Sequence, residues 1–559
     1  MVQSAAIKRG WMTYRQPLLC ARQAALAALA SASLTACGAD ESTEKPAGAD
    51  VAADGTGGVD TAADSTATGD ATVAAPLLKP TAGPANFAVA AAGWYRGDLH
   101  FHTNHSDDAL AQGGDDMKGA LDVADAFRHP DFLKYRPELA GNGLDYIAVT
   151  DHRTDKVLQD PDFKHPHLIL IAGEEFGGMG HAGIWGFKKH IPHEPQNGES
   201  NNQRLQNAVD EAHAMGALFS INHPTQDNVW AWDLKNVDGI EIWNGPWSAF
   251  YGPSDEKGVD ERVAGAGVEN PYVRQAVVTG GGGGSNHQAL KFWQYHLSDG
   301  RHLAPVGGGD RHMLMPAGLP TTYVHAPADA TQTGKALGPQ GILKGIAQKR
   351  TFVARSPFAA QIDLEAVDSA GNVFGMGSQL VAGKTYTIRM TIARAKDGLI
   401  RLYSAPLGKT QAGKWPEPQV VLEAPLTSDR VQGEWTWTVP AGGAWLHALV
   451  LDPAEVEKIP AEFSKLGEVF TKIPEGKSIT DMIKVLSAVV DVSVLMYPED
   501  CDPAKWHPWM GQCMTADKTA MSTYYMPENL AKLMSLWFED GKPTPWSLSA
   551  VSSAFMAKP

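Results

Sequence analysis

Seven short segments of this chain read as β-strands that carry candidate metal ligands, and they follow one another in the order a ring of strands would present them. The first spans residues 96–103, with His100 and His102, and is followed by Ser106 and Asp107. The next spans 144–152 and ends on Asp151 and His152; then come 168–176 with Glu174 and Glu175, and Gly180-His181 leading into 182–187. After a helical stretch follow 218–224 with His223, 239–243 with Glu241, and 304–312, which closes on Asp310, Arg311 and His312. Gathering imidazoles and carboxylates is costly unless a cation balances them. Side chains two apart on a strand share a face, so His100 and His102 project together, as do Asp310 and His312. Taken singly, each histidine is an ordinary core or surface residue. Taken together, ligands at successive strand ends are the pattern of a polynuclear metal centre.

The chain has 559 residues, which suits about three to four domain-sized units. Its formal charge of −16 argues against nucleic acid as a partner, since phosphate binding wants basic grooves. Lys8, Arg9, Arg15 and Arg22 precede a short apolar stretch over 24–36, too short for a stable membrane span. That stretch runs into Leu34, Thr35, Ala36, Cys37 and Gly38, which is similar to a bacterial lipobox with Cys37 as the lipidated residue. The alternative is an ordinary secretory signal cleaved near Ala36. Residues 1–37 are expected to be a lipoprotein-type signal segment. Residues 38–92 are rich in Ala, Asp, Gly, Thr and Ser, and are expected to form a disordered linker. The chain would then be exported and held at the cell envelope by its lipid. With Cys20 in the signal, Cys501 and Cys513 remain as an even pair in an exported protein and are expected to form a disulfide.

From 93 to 357 the pattern alternates strand, loop and helix, which implies parallel strands covered by helices. In the helix expected over 201–215, Leu205, Val209, Ala212 and Met215 share one face and Gly216 ends it. The glycine run at 280–284 lacks the Lys-Ser/Thr of a phosphate cradle and reads as a loop within an excursion over 251–287. From 358 to 454 the period becomes two, the signature of a small antiparallel sandwich. Residues 455–545 carry helical patterns at 479–490 and 527–538. They read as a helical insertion, after which a terminal strand within 546–559 returns to the sandwich.

The segments 98–107, 150–152, 180–186, 222–224 and 239–244 resemble the PHP (polymerase and histidinol phosphatase) superfamily of metal-dependent hydrolases, and most of all its CehA/McbA-like branch. The resemblance covers about residues 93–357, and the sandwich is similar to an accessory module of that branch. It implies an α/β fold, a distorted PHP-type β/α barrel, holding two or three divalent cations. Carried over by motif, His100, His102, Asp310 and a bridging Glu175 hold the first cation, with Glu174 as the fallback for the bridge. Glu175, His181 and His223 hold the second; Asp107, His152 and His312 hold the third. Asp108 and Gly309 depart from the motif, standing where Gly and Ser are common. Asp98 and Asp151 are expected either to orient imidazoles or simply to cap strand ends. Arg153 and Arg311 would clamp a substrate anion or else form surface salt bridges, and Glu241 lies near the site or is structural.

The implied activity is that of a phosphoesterase acting on small esters through a hydroxide between two cations, with Glu175 and Asp310 central to the site. The same centre suits carbamate or carboxylic esters equally well. A third possibility is a surface-anchored binding lipoprotein with a vestigial barrel. The mixed donor set does not choose among Zn²⁺, Mn²⁺ and Fe.

Overall fold

The computed structural model of the chain describes residues 78–80, most of 93–453, and 506–507, 512–514, 520–521, 535–539 and 542–559; within 93–453 it leaves out 112–113, 129, 131–132, 134–139, 179, 227–228, 246–254, 281–283, 313–316 and 327–336. The fold is mixed α/β, with seven α-helices and a large mixed sheet among the described residues. Its strands are β1 (Lys79–Pro80), β2 (Trp94–Phe101), β3 (Tyr146–Val149), β4 (Ile169–Phe176), β5 (Ala182–Trp185), β6 (Leu218–Ile221), β7 (Gly239–Asn244), β8 (Ala304–Gly308), β9 (Thr321–His325) and β10 (Thr351–Ala354). The helices are α1 (Asp107–Ala111), α2 (Met117–Ala124), α3 (Asn201–Ala214), α4 (Glu256–Ala266), α5 (Val273–Gly280), α6 (Gly284–Ser298) and α7 (Pro339–Ala347).

In the sheet, β10, β9 and β2 to β8 lie side by side in that order. The pairs β2/β3, β3/β4, β6/β7 and β7/β8 are parallel, as alternation of strand and helix predicts. Strand β9 is antiparallel to β2 and β10, and β5 is antiparallel to both its neighbours, β4 and β6. Its connection from β4 is only a few residues long, too short for the crossover a parallel pair needs. Beyond β8 the chain turns back to β2: Asp310 N donates to His100 O at 2.8 Å, and His102 N to Arg311 O at 2.9 Å. This return brings together the two strand ends that carry His100, His102, Asp310 and His312. Helix α3 shows why such elements form where they do. Ser200 and Gln203 make a reciprocal capping box, Leu205, Val209 and Ala212 are buried, and Gly216 adopts a left-handed φ of 77° at the exit. Met215, at the edge of the same face, is only partly buried.

The second, β-rich half comprises β11 (Gln361–Val367), β12 (Val373–Gly375), β13 (Gln379–Val381), β14 (Thr385–Ala393), β15 (Leu399–Pro406), β16 (Gln419–Pro425), β17 (Arg430–Thr438) and β18 (Ala444–Pro453). Further on lie β19 (Trp506–His507), β20 (Gln512–Met514), β21 (Ala520–Met521), β22 (Leu536–Glu539), β23 (Lys542–Ser552) and β24 (Phe555–Lys558). Strands β1, β17, β14, β11 and β12 form a five-stranded sheet. Alternation places Ile388, Met390 and Ile392 of β14 inside, where they share a core with Leu446, Ala448 and Val450 of β18 and Ala550 of β23. The facing sheet is continuous with the first half, because β23 pairs with both β18 and β10.

Within the expected linker, Lys79–Pro80 pair with Val431 and Gln432, so that point of the chain is docked on the five-stranded sheet. The helix expected over 527–538 is corrected at its end, where Leu536–Glu539 form a strand. Pairing with β23 overrides a weak local helical pattern there. The remainder of that helix, the helix at 479–490, Cys37 and Cys501 lie outside the described residues. The expected disulfide to Cys513, which sits on β20, therefore lies outside them too.

Candidate metal centre

Eight of the nine expected ligands meet at the strand ends, with Glu175 as the hub. Its Oε1 lies 3.1 Å from His100 Nε2, 3.2 Å from His223 Nε2 and 3.3 Å from His181 Nδ1. Its Oε2 lies 3.3 Å from His102 Nε2 and 3.2 Å from His152 Nδ1. Asp310 Oδ1 is 3.2 Å from both His100 Nε2 and His102 Nε2. The expected second group is equally tight: His181 Nδ1 and His223 Nε2 stand 3.3 Å apart, each against Glu175. Glu174 instead turns to His190 Nδ1 at 2.8 Å and Ile191 N at 3.2 Å, so of the two it is Glu175 that faces the histidine cluster.

The third group needs a correction. Asp107 is exposed at the start of α1 and makes no ion pair with the cluster among the described residues. Asp108 takes its place, with Oδ2 at 3.1 Å from His152 Nε2 and 2.9 Å from His312 Nε2. The residue that departed from the motif is the one that faces the histidines.

The hydrogen bonds fix the imidazole tautomers. Ser106 Oγ has one proton and donates it to Asp151 Oδ1 at 2.9 Å, so it must accept from His102 Nδ1 at 2.9 Å. His100 Nδ1 likewise donates to Glu241 Oε1 at 3.0 Å. In a neutral ring Nε2 then carries the lone pair, and both Nε2 atoms face carboxylate oxygens. His100 Nε2, His102 Nε2 and Glu175 Oε2 are buried without an aligned hydrogen bond. Lone pairs converging on lone pairs at about hydrogen-bond distance repel, unless protons or cations stand among them. The donor atoms of His100, His102, Glu175 and Asp310 all lie within 4.8 Å of one another, and this buried His/Asp/Glu set could hold a metal ion.

The electrostatics point the same way. Burial opposes charging His100 and His102. The acids outweigh it, Asp310, Glu175 and Glu241 lifting His100 well above its usual value and Asp310 and Glu175 bringing His102 to about 9. Despite burial, the histidines hold Glu175 and Asp310 well below the usual carboxylate range. The acids thus favour positive charge at His100 and His102, while burial keeps His152 below its usual value.

Glu241 is more than structural. It accepts from His100 Nδ1, and its other oxygen accepts from His223 N at 2.9 Å, so it orients one ligand and anchors the backbone of another. Asp151 orients His102 through Ser106 and also takes Thr103 N at 2.7 Å. Asp98 fills the capping alternative: it accepts the backbone N–H groups of His100, Gly309 and Gly318, at 3.0, 2.9 and 2.7 Å, and burial raises it to about 6. Arg311 is corrected as an anion clamp. It is fully buried, paired with Asp115, and donates to His102 O at 3.3 Å. Arg153 is exposed at the mouth, its backbone held at φ 50° by donation to Glu175 O.

Two asparagines escaped the sequence reading as site residues. Asn222 donates to Glu175 Oε1 at 3.0 Å, and Asn244 donates to both Glu241 Oε2 and Asp310 Oδ2 at 3.2 Å. On a regular strand Glu241 and Asn244 would face opposite ways. A register shift between Glu241 and Trp243 puts them on one side. Comparison of the chain with protein-family models, with curated proteins and with solved structures gives no match.

Proposed function

We propose that this chain is a metal-dependent ester hydrolase of the PHP type, related to the CehA/McbA-like branch, and that it acts on small phosphate esters. The observation that carries the proposal is Glu175: one buried carboxylate set among five imidazoles, with Asp310 beside it, is the arrangement of a bridging ligand between cations. On this reading the sheet whose last strand returns to its first is the family's distorted barrel. His100, His102, Glu175 and Asp310 would hold one cation, Glu175, His181 and His223 a second, and Asp108, His152 and His312 a third. When bound, such cations acidify water and offset the charge that develops on ester oxygens.

The chain's own residues set access and orientation. His100 and His102 are buried, whereas Asp108 and His181 are 44% and 27% exposed, so the ester arrives on their side. A side chain on Gly177 would touch both His181 and Arg153, which places these two residues at one rim. Arg153 has no ion-pair partner among the described residues and supplies positive charge for an anionic ester there. Asp151, through Ser106, and Glu241 hold the two innermost imidazoles with Nε2 inward.

Export and a lipid on Cys37 remain part of the proposal. Among the described residues, no helix is long and apolar enough to cross a membrane. Elemental analysis of the full chain, with phosphate and carboxylic esters assayed side by side, tests the function. Cation uptake together with phosphate-ester turnover that is lost in His100→Ala supports it. Absence of uptake refutes it in favour of a binding protein, and preference for carboxylic esters moves the substrate class. Loss of acyl labelling in Cys37→Ser tests the anchor.

A further inference from the structure

Helix α6 belongs to no ligand motif, yet its first turn reaches the metal centre. Asn286 Oδ1 accepts from Asn244 N at 2.9 Å, and Asn286 Nδ2 donates to Asn244 O at 3.1 Å. One side-chain amide thus grips both faces of a single peptide position. At the adjoining residue, Thr225 Oγ1 donates to Ser285 O at 2.8 Å, tying the chain just after His223 to the same turn.

The Asn244 side chain then has no freedom left. Its amide has two protons, and both are committed, one to Glu241 Oε2 and one to Asp310 Oδ2. Its Oδ1 accepts from Gln226 Nε2 at 3.2 Å. A flipped amide would set an oxygen between two carboxylates, so the network admits one orientation. The consequence falls on Asp310. With Oδ2 tethered by Asn244, only Oδ1 is presented to His100 Nε2 and His102 Nε2. Asp310 also sits at φ 48°, a backbone position that the surroundings must hold in place.

We propose that Asn286 and Asn244 form a positioning device for the metal centre: the Asn286 amide clamps the Asn244 peptide, and the Asn244 NH₂ holds Asp310 to single-oxygen presentation while bracing Glu241 behind His100. This rests on the metal reading above and adds a source for the ligand geometry. Both asparagines act through Asp310 and Glu241 and not as ligands themselves. Partners of this kind are worth about 10- to 100-fold in metal affinity.

The test uses the full chain as wild type, Asn286→Ala and Asn244→Leu, with zinc affinity read by chelator competition, the visible spectrum read at saturating Co²⁺, and melting of the metal-free protein. The expected result is a loss of about 10- to 100-fold in zinc affinity in each variant. With it come a shifted Co²⁺ ligand-field spectrum and unchanged metal-free melting of Asn286→Ala. Should Asn244→Leu fail to fold, Asn286→Ala, which alters only the clamp, decides alone. Wild-type uptake with unaltered affinity and spectrum in Asn286→Ala overturns this inference and leaves the metal reading standing. Wild type that takes up no cation overturns both.

Discussion

Buried histidine behaves in opposite ways at two regions of the molecule. In the seam between helix α6 and the β-rich half, His447 is fully buried among the rings of Trp445, Tyr403 and Trp293, with centroids 5.4, 5.8 and 5.1 Å away. Gln294 Nε2 donates to its Nε2 at 2.9 Å, and burial drives it down to about 3. His296, packed against Tyr272 and Phe292, is likewise forced well below its usual value. At the strand ends, burial is just as complete for His100 and His102, yet acids push both upward. Desolvation alone makes an imidazole neutral and inert. An acid-rich surrounding outweighs equal burial and favours the charged ring at His100 and His102, although His152 in the same cluster stays below its usual value. The seam shows what burial among rings does to a histidine that has no acid beside it, and the strand-end cluster differs in its acids.

The sharpest test of that contrast is removal of one imidazole from each region. His100→Ala or Asp310→Asn is expected to reduce both cation uptake and ester hydrolysis to background, while His447→Phe keeps both. Equal metal content in all of them, by elemental analysis, would erase the distinction.

Packing comes next. Ile388 is fully buried in the second core, so Ile388→Ala is expected to cost about 2–5 kcal/mol of stability in denaturant unfolding, with metal content of the folded protein unchanged. Coupled loss of metal would mean that the two halves of the continuous sheet are not independent.

Glu241→Gln keeps the shape of the side chain but weakens its acceptor role toward His100, with an expected loss of about 10- to 100-fold in metal affinity, or about 1.4–2.7 kcal/mol. An unchanged affinity, by chelator competition, would return Glu241 to a structural role.

The last test is a pH slope. His447 folded titrates at about 3, against roughly 6.5 unfolded, so its contribution is fully present above pH 6.5 and is lost as pH falls toward 3. In that window it steepens acid destabilisation by about 1.4 kcal/mol per pH unit. Denaturant unfolding of wild type and His447→Phe across this range should therefore diverge by one proton, and parallel curves would contradict the buried neutral imidazole.

Much of this arrangement was legible in the chain. Strand ends carrying His100, His102, His152, Glu175, His223 and Asp310 stood out because pairs two apart share a face and because acids among apolar residues are unusual. His181 was harder, since it follows a tight turn into β5, the strand that runs against its neighbours. Asp107 came from the motif resemblance, and which of Asp107 and Asp108, both in the first turn of α1, faces the histidines has no local signal. Asn244 was invisible, because a bulge changed which residues of β7 lie on one side. Arg311 sits beside two ligands in sequence, but it turns inward to Asp115.

What the sequence by itself determined is the donor inventory and its placement at the ends of apolar strands, since hydrophobic periodicity and residue chemistry are local properties. Only the tertiary structure decided which carboxylate oxygen meets which ring, that Asp108 and not Asp107 joins the histidines, and that two asparagines hold the acids in place. The physical reason is that these choices turn on distances of a few tenths of an ångström between residues far apart in the chain, set by backbone turns and a bulge that no local pattern encodes.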